Sequence, residues 1–207
     1  MIGWSYYFAG DFIDAKGAFV VAADLPAATD PADALWMAIV CLDKVIQQGR
    51  SEFGSEMTQL VGRFLAEYPA SEHAPRLVLK QAVASDQVTP DMIHELLSIP
   101  PSSDVYDSAR SKAAQGLYRL FRDSQKELRV QYGSEYLSVA LPMLAAGAAG
   151  DSLDVQRHLV RIRRILEVSL ADGIDRLVAA RTALDAFEGL SEDTPGLVED
   201  VVAEVDY

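Results

Sequence analysis

The sequence predicts an all-α fold assembled from helix–turn–helix pairs. Three observations predict it. Apolar residues recur at three- and four-residue spacing along most of the chain, the period of a helix face packed on a core. No stretch sustains the apolar–polar alternation of a half-buried strand. Capping residues, prolines and glycines return at helix-length intervals, and similar helix starts fall near Asp30, Ser71 and Asp104. Those starts lie about 30 to 40 residues apart, the period of helical solenoids.

The elements follow in order. Trp4 to Ala9 forms a short first helix. Phe12, Ala15, Phe19 and Ala22 share one face of a second, over Asp11 to Ala23. Thr29-Asp30-Pro31 places a capping side chain before a proline in the first turn. The helix it opens carries Leu35, Ile39, Leu42 and Ile46 and ends near Gly49. Ser51 to Glu67 follows, with Met57, Leu60, Val61, Phe64 and Leu65, and Tyr68-Pro69 stops it. Ser71 begins a helix containing Leu77, Val78, Gln81 and Ala82. Thr89-Pro90 opens a short one through Leu97. Ile99-Pro100-Pro101-Ser102-Ser103 breaks the pattern, and Ser103 or Asp104 caps a segment with Ala109, Ala113, Leu117 and Phe121. Longer helices are expected over Gln125 to Ala146, Ser152 to Ala171 and Gly173 to Phe187. Gly147 to Asp151 and Asp172-Gly173 are the turns between them. A terminal amphipathic helix follows Thr194-Pro195, with Leu197, Val198, Val201, Val202 and Val205 on one stripe.

Composition narrows the function. The 207-residue chain is half hydrophobic and carries a formal net charge of −13. That charge repels phosphate backbones and anionic lipid, so neither nucleic acid nor a membrane is an expected partner. Val139 to Gly150 is an uncharged run too short to span a bilayer. The start, MIGWSYYFAGDF, has no positive leader region. The single cysteine, Cys41, sits in the apolar run MAIVCL and is expected to be a buried core thiol. A cytoplasmic protein is the expectation.

The opening stretch GWSYYFAGDFIDAKGAFVVAADLP, Gly3 to Pro26, resembles a tetratricopeptide repeat. Gly3 stands at that family's small position in helix A and Tyr6 at the aromatic after it. Gly10-Asp11-Phe12 matches the inter-helix step, followed by Ala15, Phe19, Ala22 and a closing Pro26. A second phrase, FLAEYPASEHAPRLVLKQA from Phe64 to Ala82, resembles a helix B end, a proline stop and the next helix A. The pair from Asp30 to Tyr68 departs from the pattern, lacking the Gly-x-aromatic-x-x-Ala step. The resemblance covers about residues 1 to 122 and is specific mainly in the first unit. It implies antiparallel pairs stacked as a right-handed superhelix whose concave face holds a protein or peptide segment. It places Trp4 and Tyr7 on that face, with Trp36 and Ile39 equivalent in the next pair. Packing on helix B, or on sequence before Met1, is the competing role for these aromatics. Met1 falls so close to the small position that about half the family's first helix is missing. The chain is therefore expected to be a fragment of a longer protein, with an apolar N-terminal edge open to self-association.

Residues 123–190 read as a C-terminal helical segment continuing the stack, and 191–207 as an acidic tail with a capping helix. Two charged features stand out. RHLVRIRRIL places Arg157, Arg161 and Arg164 on one helical face, with Leu159, Ile162 and Leu166 on another. The arginines form either a groove for an acidic segment or carboxylate terminus, or the commoner arrangement of ion pairs within the chain. The acidic end of the chain, with eight acidic residues from Asp185 to Asp206, is either a cap on the stack or an interaction helix.

No chemistry is legible. His73, His94 and His158 have no second ligand at metal spacing and are expected on helix surfaces. No nucleophile elbow or phosphate-binding loop occurs. The expected function is non-catalytic: a scaffold binding a partner segment through Trp4, Tyr7 and Trp36 and through Arg157, Arg161 and Arg164, with no cofactor and no metal. The alternatives are a structural domain of a larger protein, or a ligand site built from dispersed carboxylates and arginines.

Overall fold

Two glycines close the first helices in the same way. α1 (Ile2–Ala9) ends where Gly10 adopts φ +85°; Gly10 N–H donates to the Tyr7 carbonyl and Asp11 N–H to that of Tyr6. α3 (Pro31–Gln47) ends likewise, with Gly49 at φ +93°, Gly49 N–H on Ile46 and Arg50 N–H on Val45. This left-handed cap satisfies terminal carbonyls, and glycine adopts it without steric cost. The computed structural model describes residues 2–26, 29–85, 87–148, 155–171 and 176–193. Among them every regular element is helical: ten α-helices and one short 3₁₀ turn. The all-α expectation holds for the described residues.

Contacts divide the chain into two compact units. The first comprises Met1–Asp86 and Ile99–Tyr106, the second Gln87–Ser98 and the residues from Asp107 onward. The sequence pattern suggested a different partition, at about residues 122 and 190.

In the first unit α1 packs on α2 (Phe12–Ala23), and α2 on α3. Gly3 faces the Phe19 ring so closely that a Cβ there would lie 2.9 Å from its Cε1. Ala15, Phe19, Ala38 and Cys41 form one core cluster between α2 and α3, the small residues permitting close approach. A second cluster joins Leu35, Ile39 and Leu42 to Met57, Val61 and Phe64 of α4 (Gly54–Glu67) and to Ala74 and Leu77 of α5 (Ala74–Ala84). Asp30 caps α3 as expected, its Oδ1 accepting the Asp33 N–H at 3.0 Å, with Pro31 next. The 3₁₀ turn Ser51–Phe53 takes the place of the first turn of the helix expected from Ser51.

α5 begins at Ala74, three residues later than expected. A helix from Ser71 would put Pro75 beyond the first turn, where its missing N–H and its ring are not tolerated. Residues 69–73 are turns instead, and the Ser71 hydroxyl accepts the His73 N–H at 3.3 Å. Lys16–Glu56 and Lys80–Asp43 link neighbouring helices, Arg63 reaches Asp24 at 2.6 Å, and Arg76 grips Asp104 at 2.8 Å. Ion pairs at or near the surface contribute about 0–1 kcal/mol each, so the apolar clusters carry the unit.

The second unit holds α6 (Pro90–Ser98), α7 (Tyr106–Asp123) from its second residue on, α8 (Lys126–Ala148), α9 (Val155–Ser169) and α10 (Leu177–Asp193). Thr89 caps α6 through Met92 N–H at 3.3 Å. On α7, Ala109, Ala113, Leu117 and Phe121 are all buried, as their spacing predicts. Gly116 lies against Ile93, leaving no room for a Cβ. α9 packs on α8 and on α10. Two boundaries differ from expectation. α8 continues through Gly147 to Ala148, and α10 runs beyond Phe187 to Asp193. The turn at Asp172-Gly173 and the helix after Pro195 lie outside the described residues, as does the tail from residue 194.

Candidate functional site

Both tryptophans of the chain line one groove of about 1150 Å³ in the first unit. Its floor and walls come from α1, α2 and α3, with Glu72 and His73 from the turn before α5. Trp4 is held by edge contact with Phe19 (ring centroids 5.4 Å apart) and by stacking on Phe8. It remains 44% exposed, and Ile2, Tyr6, Val21 and Leu25 expose further apolar surface along the same groove. Trp36 stacks on the His73 imidazole at 4.4 Å, the planes 9° apart. His73 Nε2 stands 3.4 Å from Asp33 Oδ1 and 3.9 Å from Glu72 Oε1.

The groove is electrostatically one-sided. Asp14, Asp30, Asp33 and Glu72 line it, and among the described residues no lysine or arginine does. Of the residues expected here, Trp4 and Trp36 come together. Tyr7 does not: it turns inward, 5.5 Å from Phe12 and packed on the Ala15–Phe19 cluster, while Tyr6 reaches the groove. Ile39 is 2% exposed and belongs to the core.

The three arginines of α9 do converge. Arg157, Arg161 and Arg164 line a groove of about 530 Å³ in the second unit, with Tyr136, Ala140 and Met143 of α8 and Ala114 of α7. Arg161 donates Nη1–H to the Met143 carbonyl at 2.9 Å, near the electronegative end of α8. Burial disfavours its charge and pulls its pKa down. The Arg164 guanidinium lies 4.7 Å from the Tyr118 ring centre. Among the described residues no aspartate or glutamate lines this groove, and Arg161 and Arg164 form no ion pair. Glu167, the nearby carboxylate, accepts from the Tyr118 hydroxyl instead. Among the described residues these two side chains are held by a carbonyl and a ring; pairing with the acidic tail lies outside the described residues.

Tyr136 was not legible as a site residue. It is 2% exposed, lines the arginine groove, and its hydroxyl has no hydrogen-bond partner among the described residues. Burial pushes its pKa up, so it stays a neutral O–H donor.

The histidines also differ from expectation. His94 is exposed, but His73 is clamped between Trp36 and acidic groups, and His158 is buried on α9. His158 lies on the helix face that carries Leu159, Ile162 and Ile165 into the core, so its spacing outweighs its polarity. Burial, and secondarily the Arg161 charge, lower its pKa. Cys41 is fully buried, and burial raises its thiol pKa to about 11. Among the described residues no group of three or more His, Cys, Asp or Glu side chains could hold a metal ion, and no helix is long and apolar enough to cross a membrane. No family model, curated protein or solved structure matches the chain.

Proposed function

We propose that the chain is a non-catalytic interaction module that binds a partner protein segment carrying both apolar and basic side chains. The observation that supports this reading is the first-unit groove, where two tryptophans stand between exposed apolar residues and four carboxylates, with no lysine or arginine among the described residues that line it. Aromatic anchors in a partly apolar cleft are what peptide-binding surfaces use for affinity, and the carboxylates select charge. The α1–α2 pair, closed at Gly10 and packed through Gly3 on Phe19, supports its reading as a tetratricopeptide-like unit of a superhelix. In that reading Trp4 and Trp36 are the anchors, and Tyr7 supports Trp4 from within.

The two tryptophans make the test direct, because both lie in the groove and all indole emission reports from it. The full chain is titrated with a short peptide of alternating leucine and arginine while tryptophan emission is followed. A saturable change is expected, weakened by salt. Asp14→Asn with Glu72→Gln weakens it several-fold, whereas Asp91→Asn with Glu95→Gln, exposed residues of the second unit that do not line the groove, leaves it unchanged. Unaltered emission at saturating peptide, or equal loss in both double variants, overturns the assignment.

A further inference from the structure

Among the described residues no carboxylate lines the groove around Arg161 and Arg164, and its geometry has a use for an anion. Arg161 is a partly desolvated cation whose protein acceptor is a neutral carbonyl. A buried charge without a paired anion is costly, and a bound anion removes that cost. Tyr136 adds a second, independent observation: its ring is buried, it lines the groove, and its hydroxyl has no protein acceptor among the described residues. With its ring buried and no protein acceptor, the hydroxyl is left to water or to a ligand acceptor seated in the groove. Arg157 and Arg164 supply two more guanidinium groups at the same groove. Ala114, Ala140, Met143 and Val160 make the rest of the lining apolar.

We propose that this groove binds an oxyanion, carboxylate or phosphate, borne on a small organic molecule with an apolar body. The guanidinium groups take the oxygens in forked pairs, and the Tyr136 O–H completes the shell. The apolar lining takes the body of the ligand, and a volume of about 530 Å³ falls within the range of small-molecule sites. The first-unit groove, lined by carboxylates, repels such ligands, so this binding is independent of the peptide reading.

Isothermal titration of the full chain with phenylacetate, phenyl phosphate, inorganic phosphate and benzyl alcohol tests the proposal. At least one of the aromatic anions is expected to bind more tightly than both inorganic phosphate and benzyl alcohol. The tighter of the two aromatic anions identifies a carboxylate or a phosphate as the preferred source of the oxygens. Tyr136→Phe deletes only the unpartnered hydroxyl. It is expected to weaken the anion about tenfold, the size of one hydrogen bond to a charged group, while the urea midpoint stays in place. Arg157→Gln, at an exposed position, weakens it as well. Absence of heat with both aromatic anions overturns the proposal. So does equal affinity of the wild type and Tyr136→Phe, or benzyl alcohol binding as tightly as the anions.

Discussion

Gly116 and Gly62 offer a matched pair of perturbations. Both lie inside helices, α7 and α4, so replacing either with alanine brings the same intrinsic gain of about 1 kcal/mol. Their surroundings differ. A Cβ at Gly62 meets nothing within 4 Å, whereas one at Gly116 would stand 3.0 Å from Ile93 Cδ1, 3.0 Å from Val88 Cγ1 and 3.1 Å from Ile93 Cγ1. Carbon atoms prefer about 3.5–4.0 Å, so Ile93 and Val88 must both give way. Overpacking of this kind costs about 1–3 kcal/mol. Gly62→Ala is therefore expected to stabilise by about 0.5–1 kcal/mol. Gly116→Ala nets a loss of roughly 1 kcal/mol, and the two variants separate by about 2 kcal/mol. Urea unfolding followed by circular dichroism reads this as midpoints moving in opposite directions with the slope unchanged. If Gly116→Ala gains as much stability as Gly62→Ala, the close approach of α7 to Ile93 is wrong.

Two further outcomes follow from named contacts. Asp30→Ala removes the α3 cap and costs about 1 kcal/mol, while Asp30→Ser retains a capping oxygen and costs only a few tenths. Both delete one groove carboxylate, so both weaken the leucine–arginine peptide alike; a peptide affinity that tracks stability instead would remove Asp30 from the groove. His158 is held neutral by burial, so below its unfolded pKa near 6.5 the unfolded chain binds a proton that the folded chain refuses. Its contribution is neutral above that pH and turns destabilising as pH falls toward the lowered folded value. The stability of His158→Leu relative to the wild type should therefore rise between pH 7 and 5; a constant difference across that range refutes the neutral, buried assignment.

Much of the fold was legible because its signals are local. Asp30-Pro31, Thr89-Pro90 and Gly10 each fix a helix end through their own backbone chemistry, and α7 displays its buried face as a clean three- and four-residue spacing. Ser71 misled because it bonds within a turn, and Pro75, four residues on, sets the true start. The site was harder. On α8 the stretch from Tyr136 to Leu144 is nearly all apolar, so no periodicity reveals which side chains meet the core and which line a groove. Tyr136 became a candidate only when α9 brought arginines beside it. Tyr6 and Tyr7 are adjacent and alike in sequence, and one residue of helical rotation decides which is a wall and which a foundation.

Cys41 turns the first core cluster into a timepiece. The thiol is the chain's single one, has no exposure, and is almost wholly protonated at neutral pH. An alkylating reagent can reach it only while α2 and α3 part, so the rate of labelling in native buffer counts those partings one molecule at a time. Because α2 and α3 also form walls of the tryptophan groove, a segment seated there that holds them together would slow that clock.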